Sequence, residues 1–541
     1  MKKILLSSLL LASLLATGCI ENDIPYPVVE CSIETIEAEG LSGAPAFDYG
    51  ARKITLPLLE TTDIQNVHIT KAVLTKGAVA SDSIVGYHDM RMPLLYTLSL
   101  YQNYNWTVEA TQHISRAFSV EGQIGATEWD FDKRTAKVYV NFEDLTSVTI
   151  KSLKLGPEGI TKMSCTGVSD FNESNFDRLT DLRTPRHIDV TYHGRTERWW
   201  ISAEYTAVKV SFDRIDGWAR TAWLYASGVS GTDMGFCYRP DGTAEWRPVP
   251  ASDIEIHDGA FQTRIRGLQE ESTYEVIAFS GTDTTAVTRF TTERTQQLPN
   301  SGFEDWATLS DKILHPYLTE SEAFWDTGNK GSATVNTIIS QGSPDIRPGS
   351  EGTTSAELTS TFAGFAGIGK FAAGNIFIGT YAETVGTNGK VNFGRPFTAR
   401  PIALRGWIKY NQGTIDRIGN QPQGTTLVAG VDKDQGSIYI AVGTWTPEEY
   451  GGTAESPVQI YTKEPSTFFN SQAPAVVGYG EWMITETIGE WRQFTIPLEY
   501  KATDIVPTHL IIVCSASRWG DYFTGSAQSH MWLDDFELVW E

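Results

Sequence analysis

Short runs in which apolar and polar residues alternate, broken at close intervals by Gly, Asn or Pro, recur along most of this sequence. Lys53-Ile-Thr-Leu-Pro-Leu58, Arg134-Thr-Ala-Lys-Val-Tyr-Val140, Phe261-Gln-Thr-Arg-Ile265 and Arg405-Gly-Trp-Ile-Lys-Tyr410 are examples. A period of two puts every second side chain on the same face, so each run reads as a strand with one buried side. Such strands bury that side only against another sheet, which makes the chain all-β, a series of antiparallel sandwiches with almost no helix. At 541 residues, 41% of them hydrophobic, the sequence has enough apolar material for several packed cores.

The turn-rich gaps between strand clusters set the expected boundaries. Residues 29–115 and 116–204 each read as an Ig-like sandwich, the second with strands at Leu145-Thr-Ser-Val-Thr-Ile150, Ile188-Asp-Val-Thr-Tyr192 and Arg198-Trp-Trp-Ile-Ser202. Residues 205–294 resemble a fibronectin type III module. Leu268 and a polar stretch lead into Thr273-Tyr274-Glu-Val276, where such modules bond a tyrosine hydroxyl to nearby backbone. Tyr274 is expected to be structural.

The last stretch opens with Leu298-Pro-Asn-Ser-Gly-Phe-Glu-Asp-Trp306 and closes on Met531-Trp-Leu-Asp-Asp-Phe-Glu-Leu-Val-Trp-Glu541. Between them stand Phe371-Ala-Ala-Gly-Asn375, Phe393-Gly-Arg-Pro-Phe397, Arg400-Pro401, Gly406-Trp407-Ile-Lys-Tyr410 and Trp519-Gly-Asp-Tyr-Phe-Thr-Gly525. This ordered set resembles the putative carbohydrate metabolism domain of Bacteroidetes lipoproteins, over about residues 296–541. The resemblance implies a galactose-binding-like jelly roll and a role in glycan use; it brings no catalytic residues. In jelly rolls of this class an early Glu and a late Asp can meet at a structural calcium. The corresponding residues are Glu304 and Asp534, whose two carboxylates would need backbone carbonyls to complete an oxygen-rich shell.

The N-terminus pairs Lys2 and Lys3 with an apolar run too short to span a bilayer, then Ala16-Thr-Gly18 before Cys19. Residues 1–18 read as a lipoprotein signal peptide and Cys19 as the acylated residue. A polar, Pro-bearing tether follows over 19–28, and Glu21 and Asp23 resemble a surface-export signal. The expected location is the outer membrane, on the cell-surface side, with the periplasmic side as the alternative. With 43 Lys and Arg against 66 Asp and Glu, the net charge is −23. Nucleic acid and anionic lipid are therefore excluded as partners, because phosphate binding needs cations to displace counterions. The expected partners are an oligo- or polysaccharide, the membrane through the lipid anchor, and other glycan-uptake proteins.

Four cysteines besides Cys19 are scattered along the chain, and Cys237 and Cys514 lie in strand-like runs, so thiols buried as small hydrophobes are expected rather than a disulfide framework. The acidic stretch from Asp170 to Asp181 matches no EF-hand spacing and reads as a solvated loop. Asp432 and Asp434 flank Lys433 in a tight turn, where short carboxylates cap backbone N–H groups.

A sugar site needs aromatic faces for the ring and planar polar groups for its hydroxyls. Loop aromatics Trp325, Trp445, Tyr450 and Trp519, with Asp326, Asn329, Arg518 and Asp521, are the candidates. Trp445 and Tyr450 lie in a Gly-rich loop, Trp519 and Asp521 in another; sharing one end of the sandwich, the two would form a platform. Two rival readings remain open. One is a glycoside hydrolase with a carboxylate pair drawn from acids such as Glu448, Glu449, Glu481, Glu486 and Glu490. The other is a structural or adhesive surface stalk.

Overall fold

The computed structural model describes residues 31–365, 368–422 and 425–541. The leader, Cys19 and the tether lie outside the described residues. Within them the protein is almost entirely β-structure, and the two α-helical turns, Asn329–Ser332 and Pro447–Tyr450, are four residues each.

Four segments of chain each build their own hydrophobic core. The first packs a three-stranded sheet against a five-stranded one around Trp106, Ile54 and Leu56. The strand Lys53–Leu58 shows the strict alternation that one buried face demands, and the Trp106 indole donates to the Cys31 carbonyl at 2.9 Å. The second core gathers around Trp199, Phe118 and Phe171, under a five-stranded sheet and the strand pair Ala117–Val120 and Ile150–Lys154. In its acidic stretch Asn172 caps a short 3₁₀ turn, Glu173–Arg178. The third packs Phe236, Phe261 and Val276 between two sheets, and the Tyr274 hydroxyl accepts from the Gln269 amide at 2.9 Å.

The fourth is the largest. A five-stranded sheet in the order Ser340–Ser343, Ser355–Thr359, His530–Val539, Ala403–Asn411, Ile488–Pro497 faces a nine-stranded sheet across a core of Leu404, Ile408, Ile438, Ile512, Leu533 and Leu538, among others. The central path of the nine-stranded sheet runs Asn388–Phe393, Asn375–Val385, His509–Ser515, Gly436–Gly443, Val476–Ile484. Residues 297–306 hold no strand, yet they bond the closing strand: Phe536 donates to the Ser301 carbonyl, and Gln297 bonds both the N–H and C=O of Leu538. The turn aspartates cap amides, Asp432 accepting from Val428 and Asp434 from Gln435 and Ser526.

Successive units are joined by polar contacts. Lys154 pairs with Glu60, and Arg195 grips Asp63 through both guanidinium nitrogens. Gly125 and Gly259 form a backbone bridge, in which a Cβ on Gly259 would sit 2.4 Å from the Gly125 nitrogen, so only glycine fits. The third unit meets the fourth at buried Arg400, which bonds Glu293, the Gly217 carbonyl and the Thr503 carbonyl while lying over the Trp218 ring. Asp48 of the first unit also accepts from Asn470 of the fourth, at 2.9 Å.

Candidate functional site

Three neighbouring strands of the large sheet set up the site through their register. Phe377 pairs with Val513 and Val513 with Tyr439; one step along, Asn375 pairs with Ser515 and Ser515 with Ser437. Strand side chains alternate between faces, so these six residues share one face while Ile376, Cys514 and Ile438 point the other way into the main core. The six form part of the wall of an open cavity of about 360 Å³. That volume lies within the range of small-molecule sites.

Loops and a hairpin raise the other walls. The hairpin Thr361–Phe365 and Ile368–Ala372 brings Lys370 and Phe371 over one side. The Lys370 ammonium donates to Asn388 Oδ1 at 3.0 Å and sits 3.7 Å from the centre of the Phe523 ring, tying hairpin, neighbouring loop and the 518–523 segment together. On another side the turn Asn329–Ser332 packs against Tyr381. A Cβ on Gly331 would fall 2.6 Å from the Tyr381 hydroxyl, so the wall depends on a glycine there.

The polar groups cluster where Arg518, Asp521 and Tyr439 meet the cavity. The 3₁₀ turn Gly520–Tyr522 ends at Phe523, held in the left-handed region at φ 56°, and this turn presents Asp521. The Asp521 carboxyl opens onto the cavity, not into a core, but the protein around the cavity thins its hydration and pushes it up to about 6. Burial, and then the nearby Asp521 charge, hold the Tyr439 phenol well above its usual range. The Tyr439 ring stacks on Phe469 at 5.0 Å, which fixes its orientation. Arg518 is exposed, and its nearest carboxylate is Glu481 at a loose 3.8 Å. Burial lowers Lys370 below an ordinary lysine.

Of the eight residues expected to hold sugar, Arg518 and Asp521 line this cavity. The others have been drawn into packing. Trp325 is 1% exposed, donates its indole N–H to the Pro299 carbonyl, and lies edge-on to Phe303 and Phe536. Asp326 is buried and accepts from the Tyr381 amide at 2.7 Å, while Asn329 makes four backbone bonds, to Leu314, Ile339 and Ser340. Both thereby support the cavity wall from behind. The expected platform does not form: Trp445 is 2% exposed and packs with Phe469, Ile460 and Val476, and Tyr450 leans on the same cluster. The reason is local. Thr446 and Pro447 start a helical turn that Gly451 ends at φ 78°, and the turn folds the Gly-rich loop back onto the sheet. Trp519 closes a small separate core with Ile415 and Leu427.

The calcium expectation meets a similar difference. Glu304 accepts from the amides of Thr353 and Thr354, and Asp534 Oδ2 accepts from the Arg347 amide. The Arg347 guanidinium pairs with Asp535 alongside. Each carboxylate thus gives one oxygen to amides, while the buried Asp534 Oδ1 makes no hydrogen bond, and Arg347 puts a fixed cation beside the pair where a calcium shell would need more oxygens. No cluster of three or more His, Cys, Asp or Glu side chains able to hold a metal occurs among the described residues.

Lys370, Asn388, Ser437, Tyr439 and Ser515 were not among the expected residues. The signal for the last three is in the sequence: serines and a tyrosine at alternate positions of strands whose other positions are solidly apolar, as in Gly436-Ser-Ile-Tyr-Ile440.

The chain is all-β among the described residues, and its last sandwich carries an open, polar-tipped cavity. Residues 301–539 match the family model of the putative carbohydrate metabolism domain. A comparison with curated proteins finds no match. Among solved structures, a putative glycoside hydrolase from Bacteroides thetaiotaomicron VPI-5482 aligns over 96% of this chain and 98% of its own, at 14% identity and a TM-score of 0.31. One from Bacteroides vulgatus ATCC 8482 aligns over 46% of this chain and 96% of its own, at 21% identity and 0.31. The surface glycan-binding protein PbSGBP-B from Prevotella bryantii aligns over 77% and 90%, at 11% and 0.16. At these TM-scores the likenesses carry no weight for function.

Proposed function

We propose that the cavity of the C-terminal domain captures glycan without cleaving it, and that the protein does so from a lipid anchor at Cys19, on the cell-surface side of the outer membrane. The family match ties the domain to carbohydrate metabolism. The observation that carries the binding reading is the cavity itself. Aromatic and aliphatic walls from Phe377, Tyr439 and Val513 face Arg518, Asp521 and Lys370, which gives apolar area for a ring and fixed polar groups for its substituents.

The same cavity weighs against hydrolysis. A glycosidase sets two carboxyl groups roughly 5 to 10 Å apart around the scissile bond. Asp521 is the single carboxylate among the lining residues; Glu448, Glu449, Glu481, Glu486 and Glu490 are all exposed and none of them lines the cavity. A glycan array probed with the intact chain, scored for retention and for released reducing ends, tests the proposal. Retention without release supports capture; release supports the hydrolase; neither supports the adhesive stalk.

A further inference from the structure

Neither cation of the cavity is tied closely to an acid. The chain as a whole carries 66 acids to 43 Lys and Arg, yet the cavity lining reverses the balance, with Lys370 and Arg518 against Asp521 alone. Elsewhere basic groups are routinely tied to acids, as Lys390 is to Glu383 at 2.8 Å and Arg347 to Asp535. Lys370 has no carboxylate partner among the described residues: its contacts are a neutral amide oxygen and the face of Phe523. Arg518 has only the distant Glu481, and none of its guanidinium N–H groups makes a hydrogen bond among the described residues. Strong donors held at a concave, partly apolar surface are arranged for an anion.

Resting on the capture reading above, we propose that the cavity selects a sugar residue bearing an anionic group, a carboxylate or a sulfate, which Lys370 and Arg518 bind while the ring lies against the Phe377 to Tyr439 wall. Asp521 opposes an anion only in part, because its carboxyl is pushed up to about 6 and holds its proton at mildly acidic pH. Burial already disfavours the lone charge on Lys370, and an incoming anion relieves that cost.

The test is isothermal titration of the intact chain with tri-galacturonate, its trimethyl ester, a sulfated galactose trisaccharide and the unsulfated trisaccharide, repeated for Lys370→Gln and Arg518→Gln. The ester keeps the shape and removes the charge. At least one of the charged sugars should bind about tenfold or more tightly than its neutral counterpart. Each variant should shrink that gap, with the exposed Arg518→Gln leaving the melting temperature in place, and comparison of the two charged arms tells carboxylate from sulfate. Neutral sugars binding as tightly as charged ones, or gaps unmoved in the variants, overturn the anionic assignment and leave glycan capture standing. No binding of any sugar, by these probes or on the array, overturns both.

Discussion

Replacing Trp445 with alanine separates a core role from a ligand-facing one. The indole is 2% exposed, meets Phe469 at 6.2 Å between ring centres, and lies so close to Gly443 that a Cβ there would be 2.8 Å from it. A buried indole removes roughly 150–250 Å² from water. At about 25 cal/mol per Å² that is about 4–6 kcal/mol, and Trp-to-Ala changes in packed cores cost about 3–5 kcal/mol. Taking about 4 kcal/mol, and about 2–4 °C per kcal/mol for a domain of this size, the melting transition should fall by about 8–16 °C. Differential scanning calorimetry of the whole chain is the assay, because four cores need not melt together and the fall should appear in one transition. Arg518→Ala is the control. It is exposed, so its transition should move by no more than about 0.5 kcal/mol allows. If Trp445→Ala leaves the transition within about 2 °C of wild type and abolishes glycan retention instead, the burial argument is wrong and the tryptophan faces ligand.

Four further outcomes follow from the same geometry. Arg400→Ala should cost about 3 kcal/mol and loosen the joint between the third and fourth units, since it leaves Glu293 and two carbonyls unpaired; small-angle scattering should show an increased radius of gyration, and an unchanged profile would refute this. Burial alone would lower the pKa of His315, but Asp326 and Asp311 outweigh it and raise it above 6.5, so its stabilisation is complete below that value and is lost as pH rises through the folded pKa. The fall in melting temperature between pH 6 and 9 should therefore be shallower in His315→Gln; equal slopes would refute the assignment. Calcium against chelator should leave the melting midpoint unchanged, as Glu304 and Asp534 already serve amides, and a clear rise with calcium would restore a metal there. Cys19→Ala should leave the protein unlipidated and in the soluble fraction, because this acidic chain offers no electrostatic substitute for acyl chains, and membrane retention would refute the anchor.

The strands were legible because a half-buried strand writes its burial into alternate residues, as Lys53–Leu58 does, and the Tyr274 hydroxyl bond followed from the polar loop before it. The aspartate caps at 432 and 434 follow from short-range chemistry in the same way. The site was legible only in part. A tryptophan in a Gly-rich loop carries no mark of which way the loop folds, and the turn at Pro447–Tyr450 sent Trp445 inward. Trp325 sits beside two residues whose polarity suggested a surface, but Asp326 and Asn329 are buried because backbone groups satisfy them. The cavity depends on the register of Phe377, Val513 and Tyr439, residues far apart in sequence, and pairing of that kind is a property of the assembled sheet.

The central claim is that glycan is held in this cavity and released whole. Isothermal titration of the intact chain with the best ligand from the array, beside Ser515→Trp, tests it most directly: Ser515 lines the cavity on the middle strand, and an indole there would occupy the space a sugar ring needs. The account predicts that wild type binds with one site per chain and no new reducing ends, while the variant melts as a folded domain and binds at least about tenfold more weakly. A folded variant that binds as tightly as wild type, or reducing ends released by wild type, would contradict it.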